Sequence, residues 1–234
     1  MTRSEFIAIV APVAVKVKVD GGPLFPSVSI AQMLLETGGR LNSWNNLVGY
    51  KVGDGVRTPY WDGKAASKRT WEVYEGRVET PTADFRAYAS IEHCLKDQAL
   101  LFFRLRQRYK RVIEAKTPKE QAEMLQLCGY ATDPNYGSKI WAIIRRDNLE
   151  KYDREAEKAM EALKELTEQV AQLRKEVEAL QKRCKMDIPP WAKEAVDAAV
   201  RAKLIDTPNG GGVDFYRLVT ILHRAGLIPE TEGD

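Results

Sequence analysis

The stretch Ser27–Lys51, SVSIAQMLLETGGRLNSWNNLVGYK, constrains this chain more than any other. Its first half predicts a buried helix. Pro26 fixes φ and Ser27 offers a side chain to cap a free backbone N–H, so the pair signals a start. Val28, Ile30, Ala31, Leu34 and Leu35 cover most of the helix surface, which places the helix inside the protein. Gly38-Gly39 ends it. Three polar residues, Ser29, Gln32 and Glu36, interrupt the apolar surface at i, i+3 and i+7 and share one stripe. A carboxylate at the end of an apolar helix is costly unless it is paired or faces a cleft. In a cleft with apolar walls its pKa rises, which suits a general acid. The competing reading is a solvated Glu in the last turn before a glycine cap.

The surrounding 150 residues supply helices and one small β element. Residues 5–19 predict an apolar-faced helix. Phe6–Val15 imitates the core of a signal peptide, but Glu5 precedes it, Pro12 interrupts it, and Lys16 and Lys18 follow without an A-x-A site. It reads as an ordinary first helix, leaving no export signal. Residues 20–26 and 42–63 read as loops rich in Gly, Pro, Asn and aromatic residues. Strand formers at 68–74, 77–80 and 85–88, with a Glu75-Gly76 turn, predict a short hairpin. Helices are expected over 90–113, 117–128 and 134–146. Ser90, Thr117-Pro118 and Asp133-Pro134 mark their starts.

From Tyr152 the pattern changes. Ala156, Leu163, Val170, Val177 and Cys184 recur in sevens, and Ala159, Leu166, Leu173 and Leu180 fill the second core position. Val at a and Leu at d suit a parallel two-stranded coiled coil, so residues 156–184 predict a homodimer. A long amphipathic helix packed on its own chain is the alternative. Asp187-Ile188-Pro189-Pro190 breaks the helix, and residues 191–204 and 214–226 predict two short amphipathic helices joined by a Gly-rich loop. The expected division is a catalytic domain at 1–152, a coiled-coil linker at 153–186 and a small helical module at 187–234.

Charge and composition exclude several classes. Residues 1–150 carry 22 Lys/Arg against 17 Asp/Glu, a net +5, and the remainder carries 14 against 16. That is far from a nucleic-acid-binding charge, so no nucleic-acid partner is expected. No run of 18 apolar residues predicts a membrane span. Three cysteines without CxxC spacing and two histidines give neither a disulfide framework nor a metal centre, and no cofactor is expected.

The motifs SIAQMLLETGG, NNLVGYK (Asn45–Lys51), W-x-G (Trp61–Gly63), TWE (Thr70–Glu72), FRAY (Phe85–Tyr88) and GYATDPNY (Gly129–Tyr136) occur in one order. In that order they resemble the glucosaminidases of glycoside hydrolase family 73, over about residues 3–152. The resemblance implies a mainly helical, lysozyme-like α+β domain with a small β-hairpin lobe over a cleft. It also implies cleavage of the β-1,4 bond after N-acetylglucosamine in peptidoglycan, with glycan strands as the partner. A muramidase on the same fold, or an inactive wall-binding or tail protein, would share these motifs. Glu36 falls on the family's general acid, Glu72 on its second carboxylate and Tyr130 on the tyrosine of GYATDP. Such hydrolysis needs one protonated carboxyl at the leaving oxygen; a second carboxylate or the substrate's own N-acetyl group then serves the other face.

Gln32 shares the stripe of Glu36, Asn46 offers an amide to sugars or to loop backbone, and Trp61 and Tyr136 offer stacking surfaces or core packing. Glu72 also reads as a solvated strand residue beside Glu75 and Glu79, and Tyr130 as a packed tyrosine. Where the family has a bulky aromatic after its acid, this chain has Glu36-Thr-Gly-Gly-Arg40. The tail resembles a single S-layer-homology-like unit. Together these features resemble a phage or prophage endolysin, held in the host cytoplasm until a holin releases it to the wall.

Overall fold

The fold comes from a computed structural model. It describes the backbone of residues 1–69, 72–74, 77–79 and 82–229, and within these the side chains of all but 69, 72–74, 77–79, 82, 183 and 184. The Glu72 side chain, Thr70-Trp71, the Glu75-Gly76 turn and the Cys184 side chain therefore lie outside the described residues. Contacts divide the chain into two compact units, Met1–Ala162 and Leu163–Asp234.

In the first unit, α1 (Arg3–Val19) and α2 (Pro26–Thr37) lead into a long loop. The β lobe follows, with β1 (Ala65–Arg69), β2 (Glu72–Tyr74), β3 (Arg77–Glu79) and β4 (Thr82–Arg86). α3 (Ile91–Arg104), α4 (Arg106–Glu114), α5 (Pro118–Leu127), α6 (Tyr136–Arg146) and the start of α7 (Glu150–Cys184) complete it. α2 is the central helix and packs against α1, α5 and α6. Its residues Pro26 to Leu34 are all buried, because apolar side chains cover nearly its whole circumference. Gly38 closes it at φ 62°, a left-handed conformation that disfavours any residue with a Cβ.

The start of α2 differs from the expectation. Phe25 is the N-cap, Pro26 is the first helical residue, and Ser27 makes no side-chain cap. The Ser27 N–H instead donates to Asp153 Oδ1 at 2.8 Å. The carboxylate that satisfies this helix start thus comes from the first turn of α7.

The lobe is a nested hairpin: β1 pairs antiparallel with β4, and β2 with β3. Its foot is tied to the NNLVGYK segment. Val52 N donates to Asp84 O, Arg86 N to Tyr50 O and Tyr88 N to Trp44 O. Under the foot, Arg86 and Asp97 form a buried ion pair at 2.8 Å. Asp97 also accepts from Tyr88 Oη at 2.8 Å and Thr58 Oγ1 at 2.7 Å. The Arg86 guanidinium lies between the rings of Tyr50 and Trp61, 4.3 Å and 4.2 Å from their centroids.

The single helix expected over 90–113 is two helices. Leu105 leaves helical geometry at φ −102°, ψ 37°. The break turns Tyr109 edge-on to Phe102, with centroids 5.0 Å apart. It also lets Arg108 donate to the carbonyls of Cys128 at 2.8 Å and of Gly129. Arg108, although exposed, thereby ties α4 to the end of α5.

In the second unit, the remainder of α7 is followed by a short 3-10 turn at Pro190–Ala192, α8 (Lys193–Arg201) and α9 (Val213–Arg224). Ala192, Ala195, Val196, Ala199, Tyr216, Val219 and Ile228 form its small core. The Tyr216 hydroxyl accepts from Gly211 N and lies 2.9 Å from Pro208 O, which pins the Gly-rich loop. Ala156, the first heptad position, is 1% exposed and packs within the first unit. The seam from Leu163 to Leu180 stays exposed.

Candidate active site

A cleft of about 590 Å3 opens between the end of α2, the loop at 48–51, the α3–α4 break and the loop at 130–133. Glu36, Val48, Gly49, Tyr109, Tyr130 and Tyr136 are among the residues that line it. Local sequence explains how the walls are placed. Gly129, at φ 70°, ends α5, and Tyr130 N donates back to Leu125 O at 2.9 Å, the bond of a Schellman ending. That ending sets Tyr130 against Phe102 and Tyr136, with ring centroids at 5.7 Å and 6.0 Å. Asp133 then caps the approach to α6: its Oδ1 accepts from Asn135 N at 2.9 Å, and its carbonyl accepts from Tyr136 N at 3.1 Å. α6 consequently begins at Tyr136 rather than at Pro134.

Glu36 lines the cleft. Its Oε1 accepts from Tyr136 Oη at 3.3 Å. Its Oε2 lies beside Gly49, where a Cβ would stand 3.5 Å away. The residue is open to the cleft along one side, while its carboxyl group is crowded by protein. That crowding raises its pKa above the ordinary carboxylate value, and the Tyr136 hydrogen bond only partly offsets the rise. Burial raises the pKa values of Tyr130 and Tyr136 as well, so both remain hydroxyl donors. The arrangement provides one carboxyl suited to hold a proton on the wall of the cleft, and two phenols that line the same cleft.

The structure brings Glu36, Tyr130, Tyr136 and Gln32 together. Gln32 sits one layer behind the cleft, 1% exposed, and its Nε2 donates to Tyr136 Oη at 3.0 Å. Asn46 and Trp61 are placed elsewhere. Asn46 is buried and uses its whole amide on backbone: Nδ2 donates to Tyr50 O and Arg86 O, and Oδ1 accepts from Tyr50 N. Trp61 is buried, donates through Nε1 to Lys64 O, and supports Arg86. Both hold the foot of the lobe, so their expected sugar contacts give way to scaffold roles. Glu72 has its backbone in β2, registered opposite Glu79. Two residues absent from the expected site belong to it: Gln98, described below, and Asp133 on the cleft rim. Among the described residues no cluster of His, Cys, Asp and Glu is arranged to hold a metal.

A mainly helical fold with a small hairpin lobe and a raised-pKa Glu lining the cleft is the layout of a lysozyme-like glycoside hydrolase. The comparisons agree. The profile described as mannosyl-glycoprotein endo-beta-N-acetylglucosaminidase matches residues 13–149, more than half of the chain. The chain belongs to this glucosaminidase family, glycoside hydrolase family 73. It is 38% identical over 137 residues to the exo-glucosaminidase LytG of Bacillus subtilis, covering 56% of this chain and 46% of LytG. It is 33% identical over 157 residues to a probable N-acetylmuramidase of Lactococcus lactis, covering 65% of this chain and 35% of that protein. The chain thus spans less than half the length of either. Among solved structures, a peptidoglycan hydrolase mutant from Sphingomonas sp. A1 superposes with a TM-score of 0.53 at 30% identity, over 64% of this chain and 97% of that one.

Proposed function

We propose that this chain hydrolyses peptidoglycan at the β-1,4 bond after N-acetylglucosamine, with Glu36 as the general acid. The observation that carries the reading is the Glu36 carboxyl itself. It has a pKa raised by the protein crowded around it, has one oxygen engaged by Tyr136, lines the cleft, and sits in a chain of the glucosaminidase family. A protonated carboxyl on a cleft wall is what protonation of a leaving sugar oxygen requires. Tyr130 orients the substrate's N-acetyl group or the attacking water through its hydroxyl. Glu72, on the lobe, serves as the second carboxylate, and closure of the lobe would set its distance from Glu36. Acting at the cell wall follows from this substrate, and an endolysin is the setting proposed for it. The tail is proposed to add a homodimer through α7 and a small C-terminal module at the wall.

Glu36→Gln should lower the release of new reducing ends from purified cell walls by roughly 10²- to 10⁴-fold with the fold intact. A folded variant keeping more than roughly a tenth of the activity would overturn the assignment, since loss of a general acid removes at least that much. The muramidase alternative has its own support in the Lactococcus lactis relative. Mass spectrometry of the products separates the two: N-acetylglucosamine at the new reducing end fits the proposal, and N-acetylmuramic acid fits the rival.

A further inference from the structure

At and behind the cleft, five polar side chains, from three helices and the loop after α5, form one connected hydrogen-bonded network. Gln98 of α3 is 2% exposed. Its Nε2 donates to Gln32 Oε1 at 3.2 Å and to Tyr130 Oη at 2.8 Å. Gln32 Nε2 donates to Tyr136 Oη at 3.0 Å, and Tyr136 Oη donates to Glu36 Oε1 at 3.3 Å.

The direction of every bond follows from chemistry at one end. An ionised Glu36 can only accept, so Tyr136 must spend its single proton on it. Tyr136 Oη then needs a donor behind it, which turns the NH2 of Gln32 forward and its carbonyl backward. A backward carbonyl needs a donor in turn, which makes Gln98 present its NH2 to Gln32. The same NH2 reaches Tyr130 Oη, so Tyr130 accepts there and keeps its own proton for an acceptor in the cleft. A primary amide is the uncharged side chain whose one nitrogen carries the two protons this fork requires.

We infer that Gln98 is a positioning residue of this enzyme: it fixes the polarity of the hydrogen bonds reaching Glu36 and leaves the Tyr130 hydroxyl as a donor to substrate. The inference rests on Glu36 being the general acid. Gln98 does not itself line the cleft and acts through Gln32, Tyr136 and Tyr130. Removing its amide frees Gln32 to rotate its carbonyl toward Tyr136. Tyr136 then has a neutral acceptor competing with Glu36, and the hydrogen bond that favours the ionised acid weakens. The alkaline limb of the activity profile, where a general acid loses its proton, should move to higher pH.

The test is Gln98→Met, of similar length and without hydrogen-bonding groups, assayed on soluble glycan fragments across pH after its fold is checked by circular dichroism. The expected result is a fall in kcat on the order of 10- to 100-fold from misplacement of the acid and of Tyr130. KM should change little, and the alkaline limb should shift up in the same direction as in Tyr136→Phe. In a Tyr136→Phe background, Gln98→Met should produce no further shift of that limb. A folded Gln98→Met with an unmoved limb and nearly wild-type kcat overturns the inference, as does an additive shift in the double variant. Should Gln98→Met fail to fold, Gln32→Met breaks the next link and is judged by the same limb. Loss of activity in Glu36→Gln together with an unmoved limb in Gln98→Met removes the inference alone. An active Glu36→Gln removes the acid assignment beneath it.

Discussion

Two helices of this chain handle apolar residues in opposite ways. α2 is buried from Pro26 to Leu34 and holds Gln32 inside, while Glu36, two residues beyond Leu34, is exposed to the cleft and hydrogen-bonded to Tyr136. α7 beyond Ala162 turns charged residues to water and leaves Leu163, Leu166, Val170, Leu173, Val177 and Leu180 between 41% and 59% exposed. In α2 the polar residues are the exception, and Gln32 and Glu36 meet in one hydrogen-bonded group at the cleft, where crowding of the Glu36 carboxyl raises its pKa. In α7 the apolar residues are the exception, and without cover they supply neither stability nor chemistry to the single chain. Patterning alone therefore says where a helix is prepared to bury surface; the packing around it decides whether it does.

The sharpest way to break this contrast is to remove a buried charge from the first unit. Asp97→Ala would leave the Arg86 guanidinium buried without its counter-charge, and Tyr88 and Thr58 without their acceptor. A loss of about 3–5 kcal/mol is expected, measured by denaturant titration of the first unit's transition. Activity should fall as well, because the same cluster holds Tyr50 and the foot of the lobe. A change below about 1 kcal/mol would mean that the cluster is solvated and that the first unit is less dry than described.

The next effect depends on pH. Asp153 supplies the acceptor at the start of α2, its Oδ2 is buried without a partner, and burial pushes its pKa up to about 6 from 3.8. Lys18 on α1 and Glu150 and Glu157 on α7 are the charged groups around it. Because the folded value is the higher one, the folded chain keeps a proton that the unfolded chain has already lost. The stability this provides is complete below about pH 4 and disappears as pH rises through about 6, a loss of up to about 3 kcal/mol. Asp153→Asn keeps an acceptor for the Ser27 N–H and should flatten that part of the stability curve in melts between pH 4 and pH 7. An equally steep decline in the variant would assign the slope to other groups.

How much of this was legible in the sequence varies with how local the cause is. α2, its glycine end and the Glu36 stripe follow from residues within one turn of each other. So does the GYATDPNY loop, where Gly129, Asp133 and Tyr136 act on near neighbours. The break at Leu105 was not legible, because Arg104-Leu105-Arg106 contains neither Gly nor Pro. It goes with contacts that local sequence does not announce, Tyr109 edge-on to Phe102 and Arg108 on the Cys128 carbonyl. Ser27 read as a cap because its type favours caps, whereas the actual acceptor lies 126 residues further on. Asn46 and Trp61 have side chains that suit sugars and scaffolds equally; only their place under the lobe separates the two. Gln98 did leave a trace: with Ile91, Leu95 and Phe102 it falls on the buried stripe of α3, and a polar residue on such a stripe signals a buried hydrogen-bond network.

The smallest effect on the single chain is expected from the stripe of α7, and it tests the other half of the contrast. Leu173 is 59% exposed, so Leu173→Gln should change the stability of a monomer by no more than about 0.5 kcal/mol. Its consequence for association is larger. Burying a leucine contributes about 1.5–3 kcal/mol, and a paired seam loses that burial from both copies. The seam is also short. Ala156 is already committed to the first unit, so pairing would draw mainly on Leu163 to Leu180. Pairing over about three heptads should give a weak, concentration-dependent dimer in which Leu173, near the middle of the seam, has the greatest leverage. Light scattering over a micromolar concentration series should show wild-type protein moving toward twice the monomer mass while Leu173→Gln stays monomeric, with both keeping the same hydrolytic activity. Wild-type protein that remains monomeric throughout would leave the stripe exposed in solution as well and remove the dimer.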